Sequence, residues 1–308
     1  MKVYRSLSEI PKINNPVVTI GTFDGVHLGH KKILARLNEA AREINGESFL
    51  FTFHPHPRQV LFPEQSDLKL LTLTEEKLHL LEKEGVDHVL VYPFTKEFAK
   101  LPASDYIKTI LVEGIGTKKL IIGYDHRFGN KREGNIETLR SYAPAGGFSV
   151  EEISAQEIEH INVSSSRIRK ALELGDINAA NGFLGYEYFV TGKVVPGKKL
   201  GRVLGYPTAN IEVPESTKMI PGIGVYAVTT NVGGQRYKSM LSVGLNPTTD
   251  TDNKLKIEVN IFNFDKDIYG EEITVQFRNR LRNEEKFASL EELKKQLGID
   301  KENALSFL

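Results

Sequence analysis

The amino-acid sequence predicts an α/β chain in two parts. The first is a parallel sheet wrapped by helices; the second is a small antiparallel barrel or sandwich with a terminal helix. Three observations predict this. From Pro16 to about Glu152, apolar strand-like runs alternate with amphipathic helical stretches, the rhythm of a parallel sheet. After Glu187 the pattern changes to short period-two runs bounded by Gly, Pro and Asn. The 308 residues are enough for about two domains. The break falls near Leu184, giving units 1–184 and 185–308.

Bulk composition narrows the function classes. Hydrophobic residues at 40% and charged residues at 26% are an ordinary globular balance, able to fill two cores. Basic and acidic residues number 40 each, which removes any global attraction to nucleic acid or to an anionic membrane. With no cysteine, disulfides, zinc–thiolate sites and cysteine nucleophiles are excluded. Met1 to Lys12 is polar and lacks the apolar core of a signal peptide, and no apolar run is long enough to cross a bilayer. The expectation is a cytoplasmic protein with small-molecule partners, no nucleic acid and no membrane. Self-association is left open.

In chain order, Pro16 to Ile20 reads as a buried strand and Lys31 to Ala41 as a helix. Between them lies Gly21-Thr22-Phe23-Asp24-Gly25-Val26-His27-Leu28-Gly29-His30. Glycines let backbone approach an anion, and a new helix offers unsatisfied N–H groups and a positive dipole end. On a helical first turn, His27 and His30 face the same way. Two imidazoles there can hold a triphosphate and stabilise charge moving onto pyrophosphate. The segment is neither a P-loop nor a dinucleotide fingerprint, since Gly-Lys-Ser/Thr and Gly-x-Gly-x-x-Gly are both missing.

Ser48 to Phe53 is a second strand, followed by His54-Pro55-His56-Pro57. The two prolines predict an extended loop, either a plain rigid turn or a stiff wall for a flat ring. A metal site there is disfavoured, because side chains two apart in an extended segment point to opposite faces. Glu75 to Lys83 and Ser104 to Glu113 read as helices, the latter with Ser104-Asp105 as N-cap. His88 to Val91, Lys119 to Gly123 and Phe148 to Ile153 complete the strands. Gly123-Tyr124-Asp125-His126-Arg127-Phe128-Gly129 is either an exposed charged loop or a grip for a ring with a polar edge. Ser164, Ser165 and Ser166 precede a helix reaching Leu174 and cap it well. Together with Arg167 and Arg169 they also suit a polyphosphate. A short helix, Asp176 to Phe183, ends the first half.

The second half offers strands at Tyr188 to Val195, Gly224 to Thr230, Arg236 to Val243, Lys256 to Ile261 and Glu272 to Arg278, with a helix from Ser289 to Leu297. Pro196 to Arg202 reads as a mobile cationic glycine loop. In Gly205-Tyr206-Pro207-Thr208-Ala209-Asn210, Thr208 and Asn210 place two neutral oxygens on one face of an extended segment. With ATP phosphates, such oxygens suit Mg²⁺. Glu258 lies within a strand and by default faces solvent.

The string from Gly21 to His30 resembles the Gly-x-Phe-Asp-Gly-x-His-x-Gly-His signature of bacterial bifunctional riboflavin kinase/FMN adenylyltransferases. Gly197 to Asn210 is similar to the riboflavin kinase signature of the same family, and its downstream landmarks follow in order. The resemblance implies a Rossmann-like nucleotidylyltransferase domain with a parallel sheet, then a riboflavin kinase barrel. It implies that riboflavin is phosphorylated by ATP to FMN, and that FMN is adenylylated by ATP to FAD. His27 and His30 would act in the second reaction. Gly21, Phe23, Asp24, Gly25, Ser164, Ser165 and Arg167 would bind its ATP, and Pro55, Pro57, Asp125 and Phe128 its flavin. Gly197, Lys198, Gly201 and Arg202 would bind kinase ATP, Thr208 and Asn210 the phosphates and Mg²⁺. Glu258 would be the general base, and Arg282 and Phe287 would contact flavin. His126 and Asn260 depart from the family's usual phenylalanine and histidine.

Overall fold

The computed structural model describes residues 1–65, 67–124, 126–154, 163–197, 200–245 and 255–308. They pack as two compact units, Met1–Ser165 and Ser166–Leu308.

The first unit holds a six-stranded sheet: β1 (Lys2–Tyr4), β2 (Val17–Ile20), β3 (Ser48–His54), β4 (His88–Pro93), β5 (Lys119–Gly123) and β6 (Ser149–Ile153). Their order is β1-β4-β3-β2-β5-β6, and every neighbouring pair is parallel. Strand order therefore reverses at β2, with β3 on one side and β5 on the other. A crevice opens at the carboxyl end of such a strand, and Gly21 begins there. All four β2 residues are buried, as a two-faced parallel strand requires. β1 is absent from the sequence reading; it is a three-residue edge strand with only Tyr4 buried, too short to show a period.

Helices follow the strands: α1 (Leu28–Glu43), α2 (Pro57–Leu61), α3 (Thr74–Lys83), α4 (Ala103–Asp105, continuing as a π-wound stretch Tyr106–Ile115) and α5 (Ile136–Gly146). Ile107, Ile110 and Leu111 of the π-wound stretch bury one face against Phe49, Phe51, Leu120 and Ile122. Two expectations are corrected here. Ser104-Asp105 is not the N-cap: Pro102 holds that position, and Ser104 and Asp105 lie inside the helix. The first free amide, Ala103 N–H, donates instead to Glu133, thirty residues on, at 2.9 Å. The loop after β3 is not extended throughout either. Pro57 opens α2, where a missing N–H costs nothing, and His56 caps it by accepting from Arg58 N–H at 3.2 Å. α5 was not anticipated; Pro144 in its last turn obscures the helical pattern.

The chain passes into the second unit at the start of α6 (Ser165–Leu174); α7 (Ile177–Leu184) follows, and then a closed antiparallel barrel. Its strands are β7 (Phe189–Val195), β8 (Ala209–Glu212), β9 (Gly224–Val232), β10 (Gln235–Leu245), β11 (Leu255–Ile261) and β12 (Glu272–Arg282). They close in the order β10-β11-β8-β7-β12-β9. The Gly233-Gly234 turn between β9 and β10 needs φ of 54° and 80°, which glycine adopts freely. A short helix, α8 (Leu200–Leu204), precedes β8, so Gly201 and Arg202 sit in a helix rather than in a loop. The terminal helix α9 (Leu290–Phe307) overruns its expected end at Leu297. Gly298 weakens the helical signal, but Asp300 and Ala304 beyond it are buried, and that packing carries the helix onward.

Candidate active sites

At the switch point of the first unit, Gly21 N–H donates to Phe51 O at 3.0 Å, the last sheet-like bond of β2. The chain then turns through left-handed backbone at Phe23 (φ 47°), Gly25 (φ 83°) and Val26 (φ 36°). A phenylalanine and a β-branched valine are costly there, so the surroundings must hold them. Asp24 Oδ1, buried, accepts from Leu71 N–H at 2.9 Å and Thr72 N–H at 3.2 Å. Gly25 N–H donates to Thr72 Oγ1 at 3.1 Å. Ser165 Oγ donates to Asp24 O at 3.0 Å, so the last residue of this unit meets the glycine loop.

His27 is the N-cap of α1 rather than a residue of its first turn, and its Nδ1 accepts from His30 N–H at 3.4 Å. The expected facing is nevertheless realised: the two rings stack with centroids 3.7 Å apart. A Cβ on Gly29 would stand 3.2 Å from the His27 ring, so glycine gives that ring its place. Phe23 covers His30 at 4.7 Å. Burial pushes the His30 imidazole well below its ordinary pKa, and the His27 ring and the Lys77 charge add to this. His30 is therefore a neutral ring near pH 7. Its Nδ1 is buried and has no hydrogen-bond partner among the described residues.

The flavin-side expectations fall in different surroundings. Pro55, joined to His54 by a cis bond, is exposed, and Pro57 is half-buried. His54 Nδ1 and Thr74 Oγ1 lie 3.0 Å apart. Phe128 is 7% exposed and packs on Tyr106 at 5.2 Å, in the aromatic core under the carboxyl ends of β3 and β4. Asp125 lies outside the described residues. Ser164 is exposed, and the Arg167 guanidinium lies over the Phe183 ring at 5.5 Å.

Sequence reasoning missed Lys77. It is 7% exposed, and its Nζ donates to Thr22 O and to Thr52 Oγ1, both at 3.1 Å. A signal existed: four residues after Leu73 and three and four before Leu80 and Leu81, Lys77 falls on the apolar stripe of α3. A charged residue in that stripe is paired or functional.

In the barrel, antiparallel β8 and β11 set Asn210 opposite Glu258. Thr208 Oγ1 lies 3.5 Å from Glu258 Oε1, and Lys256 Nζ 2.9 Å from the same oxygen. The three predicted residues thus converge, and Glu258 is half-buried rather than freely solvated. A Cβ on Gly197 would come within 2.0 Å of Asn210 Nδ2, and one on Gly201 within 2.3 Å of Tyr206 O. Both glycines therefore allow backbone to close on the threonine–asparagine segment. Asn260, the departure from the family pattern, donates through Nδ2 to Pro207 O at 2.6 Å and so fixes the turn that carries Thr208. Arg202 is exposed, and Lys198 lies outside the described residues. Arg282 grips buried Asp300 of α9 with two nitrogens, at 2.8 and 2.7 Å, and stands over Phe287 at 5.6 Å.

Comparison with known proteins follows the same division. The family model for FAD synthetase matches residues 9–167, and that for riboflavin kinase matches 184–308. Bifunctional riboflavin kinase/FMN adenylyltransferase of Pseudomonas fluorescens is 37% identical, covering 97% of this chain and 96% of its own length. The proteins of that name in Listeria monocytogenes (38% identical; 95% of this chain, 92% of the relative) and Escherichia coli K12 (36%; 100% and 98%) match likewise. A crystal structure titled as a macrolide-efflux protein from Streptococcus pneumoniae superposes with a TM-score of 0.90 at 32% identity, over 99% of both chains. Among the described residues no helix is long and apolar enough to cross a membrane. With a family model on each part and relatives matched end to end, the chain belongs to the bifunctional riboflavin kinase/FMN adenylyltransferase family.

Proposed function

We propose that the family's two reactions divide between the two constellations described above. The chain is an ATP-using enzyme that phosphorylates riboflavin to FMN and adenylylates FMN to FAD with release of pyrophosphate. In our reading, FMN formation occurs at Thr208, Asn210 and Glu258, and FAD formation at the His27–His30 loop. The observation that carries this reading is the convergence, on unlike scaffolds, of two sets of residues suited to a triphosphate.

In the barrel, Glu258 takes the proton from the 5′-hydroxyl of riboflavin as that oxygen attacks the γ-phosphorus and ADP leaves. The family implies Mg²⁺, and the donor chemistry fits a hard ion: Thr208 Oγ and the Asn210 amide oxygen are neutral oxygens beside a carboxylate. These two residues would hold the ion together with ATP phosphates, and it would neutralise phosphate charge. Among the described residues no cluster of three His, Cys, Asp or Glu competes for that role. Gly197, Gly201 and Arg202 border the nucleotide phosphates, and Arg282 and Phe287 contact the flavin.

In the first unit, a phosphate oxygen of FMN attacks the α-phosphorus of ATP and pyrophosphate leaves. No protein atom becomes covalently attached, so catalysis is positioning and charge stabilisation. Neutral His30 donates from its ring to a phosphate oxygen, with His27, the α1 N-terminus and Ser165 supplying further donors. Asp24 serves here through its buried carboxylate, which anchors the loop on Leu71 and Thr72. Phe128 supports the flavin wall from beneath, and Pro55 and Pro57 face the ring. The adenylylating domain would comprise residues 1–184 and the kinase 185–308, with the cytoplasm as location and no nucleic-acid partner.

Incubating the protein with ATP, Mg²⁺ and either riboflavin or FMN, then separating the flavins, tests this division. Glu258→Ala is expected to abolish FMN formation while sparing FAD formation from supplied FMN, and His30→Ala to do the reverse. Loss of both activities in either folded variant refutes the assignment.

A further inference from the structure

Lys77 is a buried cation that the reaction as written does not use. Its ammonium sits among Thr22 O and Thr52 Oγ1, and Thr52 Oγ1 itself donates to Thr22 O at 3.2 Å, closing a triangle. Thr22 is the residue before the left-handed turn at Phe23. Thr52 is fully buried on β3, next to Phe51, which receives Gly21 N–H. One lysine on α3 thus ties the end of β2, the neighbouring strand and the start of the glycine loop. Its neighbour Glu76 caps α3 by accepting from Leu73 N–H at 2.9 Å, in the segment whose Leu71 and Thr72 amides hold Asp24.

A buried ammonium is a costly means of holding a carbonyl, since a neutral donor would be less penalised by desolvation. The cost has a consequence a neutral donor would not bring. In a site of low polarity, the charge acts on His30 and on whatever anion the loop receives. Burial pulls the Lys77 pKa down to about 8, with Asp24 opposing that fall and Arg5 adding to it. Near pH 7 it still carries its charge.

We propose that Lys77 is a positioning residue for adenylyl transfer: it fixes the Thr22 carbonyl, and with it the backbone path that brings His27 and His30 together, and supplies a buried positive charge behind the phosphate loop. This rests on the assignment of the His27–His30 loop to FAD formation. Asp24 is its acidic counterpart, holding the same loop from the Leu71–Thr72 side. Misplacing reacting groups by about 1 Å costs on the order of a hundredfold in rate.

The test compares Lys77→Met, Lys77→Arg, Thr52→Val and His30→Ala in the full chain, with riboflavin phosphorylation by the same molecule as control. Lys77→Met is expected to lower kcat for FMN adenylylation about a hundredfold, with unfolding and the kinase activity unchanged. Lys77→Arg, which keeps charge and donors, restores most of the lost rate. NMR titration of the His30 ring reports the charge directly, and its midpoint moves upward in Lys77→Met but not in Lys77→Arg. If Lys77→Met does not fold, Thr52→Val, which removes one of the two acceptors, shows a smaller loss in the same kcat. Wild-type adenylylation in Lys77→Met or Thr52→Val overturns the inference, as does an unmoved His30 midpoint. If His30→Ala also retains wild-type FAD formation, the site assignment beneath it fails; if only the Lys77 and Thr52 variants do, this inference alone fails.

Discussion

Gly197→Ala is expected to separate the two reactions without touching a reacting atom. A Cβ built on Gly197 lies 2.0 Å from Asn210 Nδ2 and 2.7 Å from its Cγ. Non-bonded contact begins at about 3.4 Å, so the amide must retreat by more than about 1 Å. What it meets is the end of a side chain, so Asn210 swings aside and the barrel stays closed. An off-rotamer asparagine costs about 1 kcal/mol. A displacement of about 1 Å at a phosphate- or metal-binding group costs on the order of a hundredfold in rate. Gly197→Ala is therefore expected to form FMN from riboflavin about a hundredfold more slowly, with FAD formation from supplied FMN unchanged. The assay is a time course of both products by flavin separation, with urea unfolding alongside. Wild-type phosphorylation in Gly197→Ala would show that Asn210 has no part in the kinase site. Loss of both activities at an unchanged unfolding midpoint would refute the two-site division.

Two further outcomes concern stability. Hydrogen bonds from Arg36, at 2.5 and 2.9 Å, hold the Glu151 carboxyl down at about 2 against some desolvation, and Lys119 at 2.7 Å assists. A carboxyl depressed in the folded state stabilises it above the unfolded value of 4.5, and that contribution fades as pH falls toward about 2. Because the pair is partly solvated, screening leaves about 1 kcal/mol. Urea midpoints measured down through this window should fall less steeply in Glu151→Gln; identical slopes would refute the coupling. Asp300→Ala leaves Arg282 unpaired beneath α9 and should cost about 3 kcal/mol in urea unfolding. A loss under about 1 kcal/mol would mean that the clamp does not hold the terminal helix.

Much of the candidate site was legible in the sequence because its parts are local. The His27–His30 spacing, the glycines of the Gly21–Gly29 loop and the Thr208–Asn210 pair each declare their chemistry within a few residues. Long strands such as Ser48–His54 and Gly224–Val232 are almost wholly buried, so their apolar runs stand out in the chain. β1 and β8 do not, because only Tyr4 in the one and Ile211 in the other are buried. The helix start at Ala103 was misplaced because its free amide finds a carboxylate from Glu133, a partner that no local capping rule supplies.

The sequence by itself determined the α/β and antiparallel character of the two parts of the chain, and which residue types are candidates for handling phosphate. Those properties follow from short-range periodicity and from chemistry confined to single segments. Only the tertiary structure decided that Lys77 lies under the glycine loop, that Asp24 turns its carboxylate inward, and that Arg282 is gripped by Asp300. Each is a contact between residues 18 to 55 positions apart. A buried charge reveals its purpose only through the partners that folding brings to it.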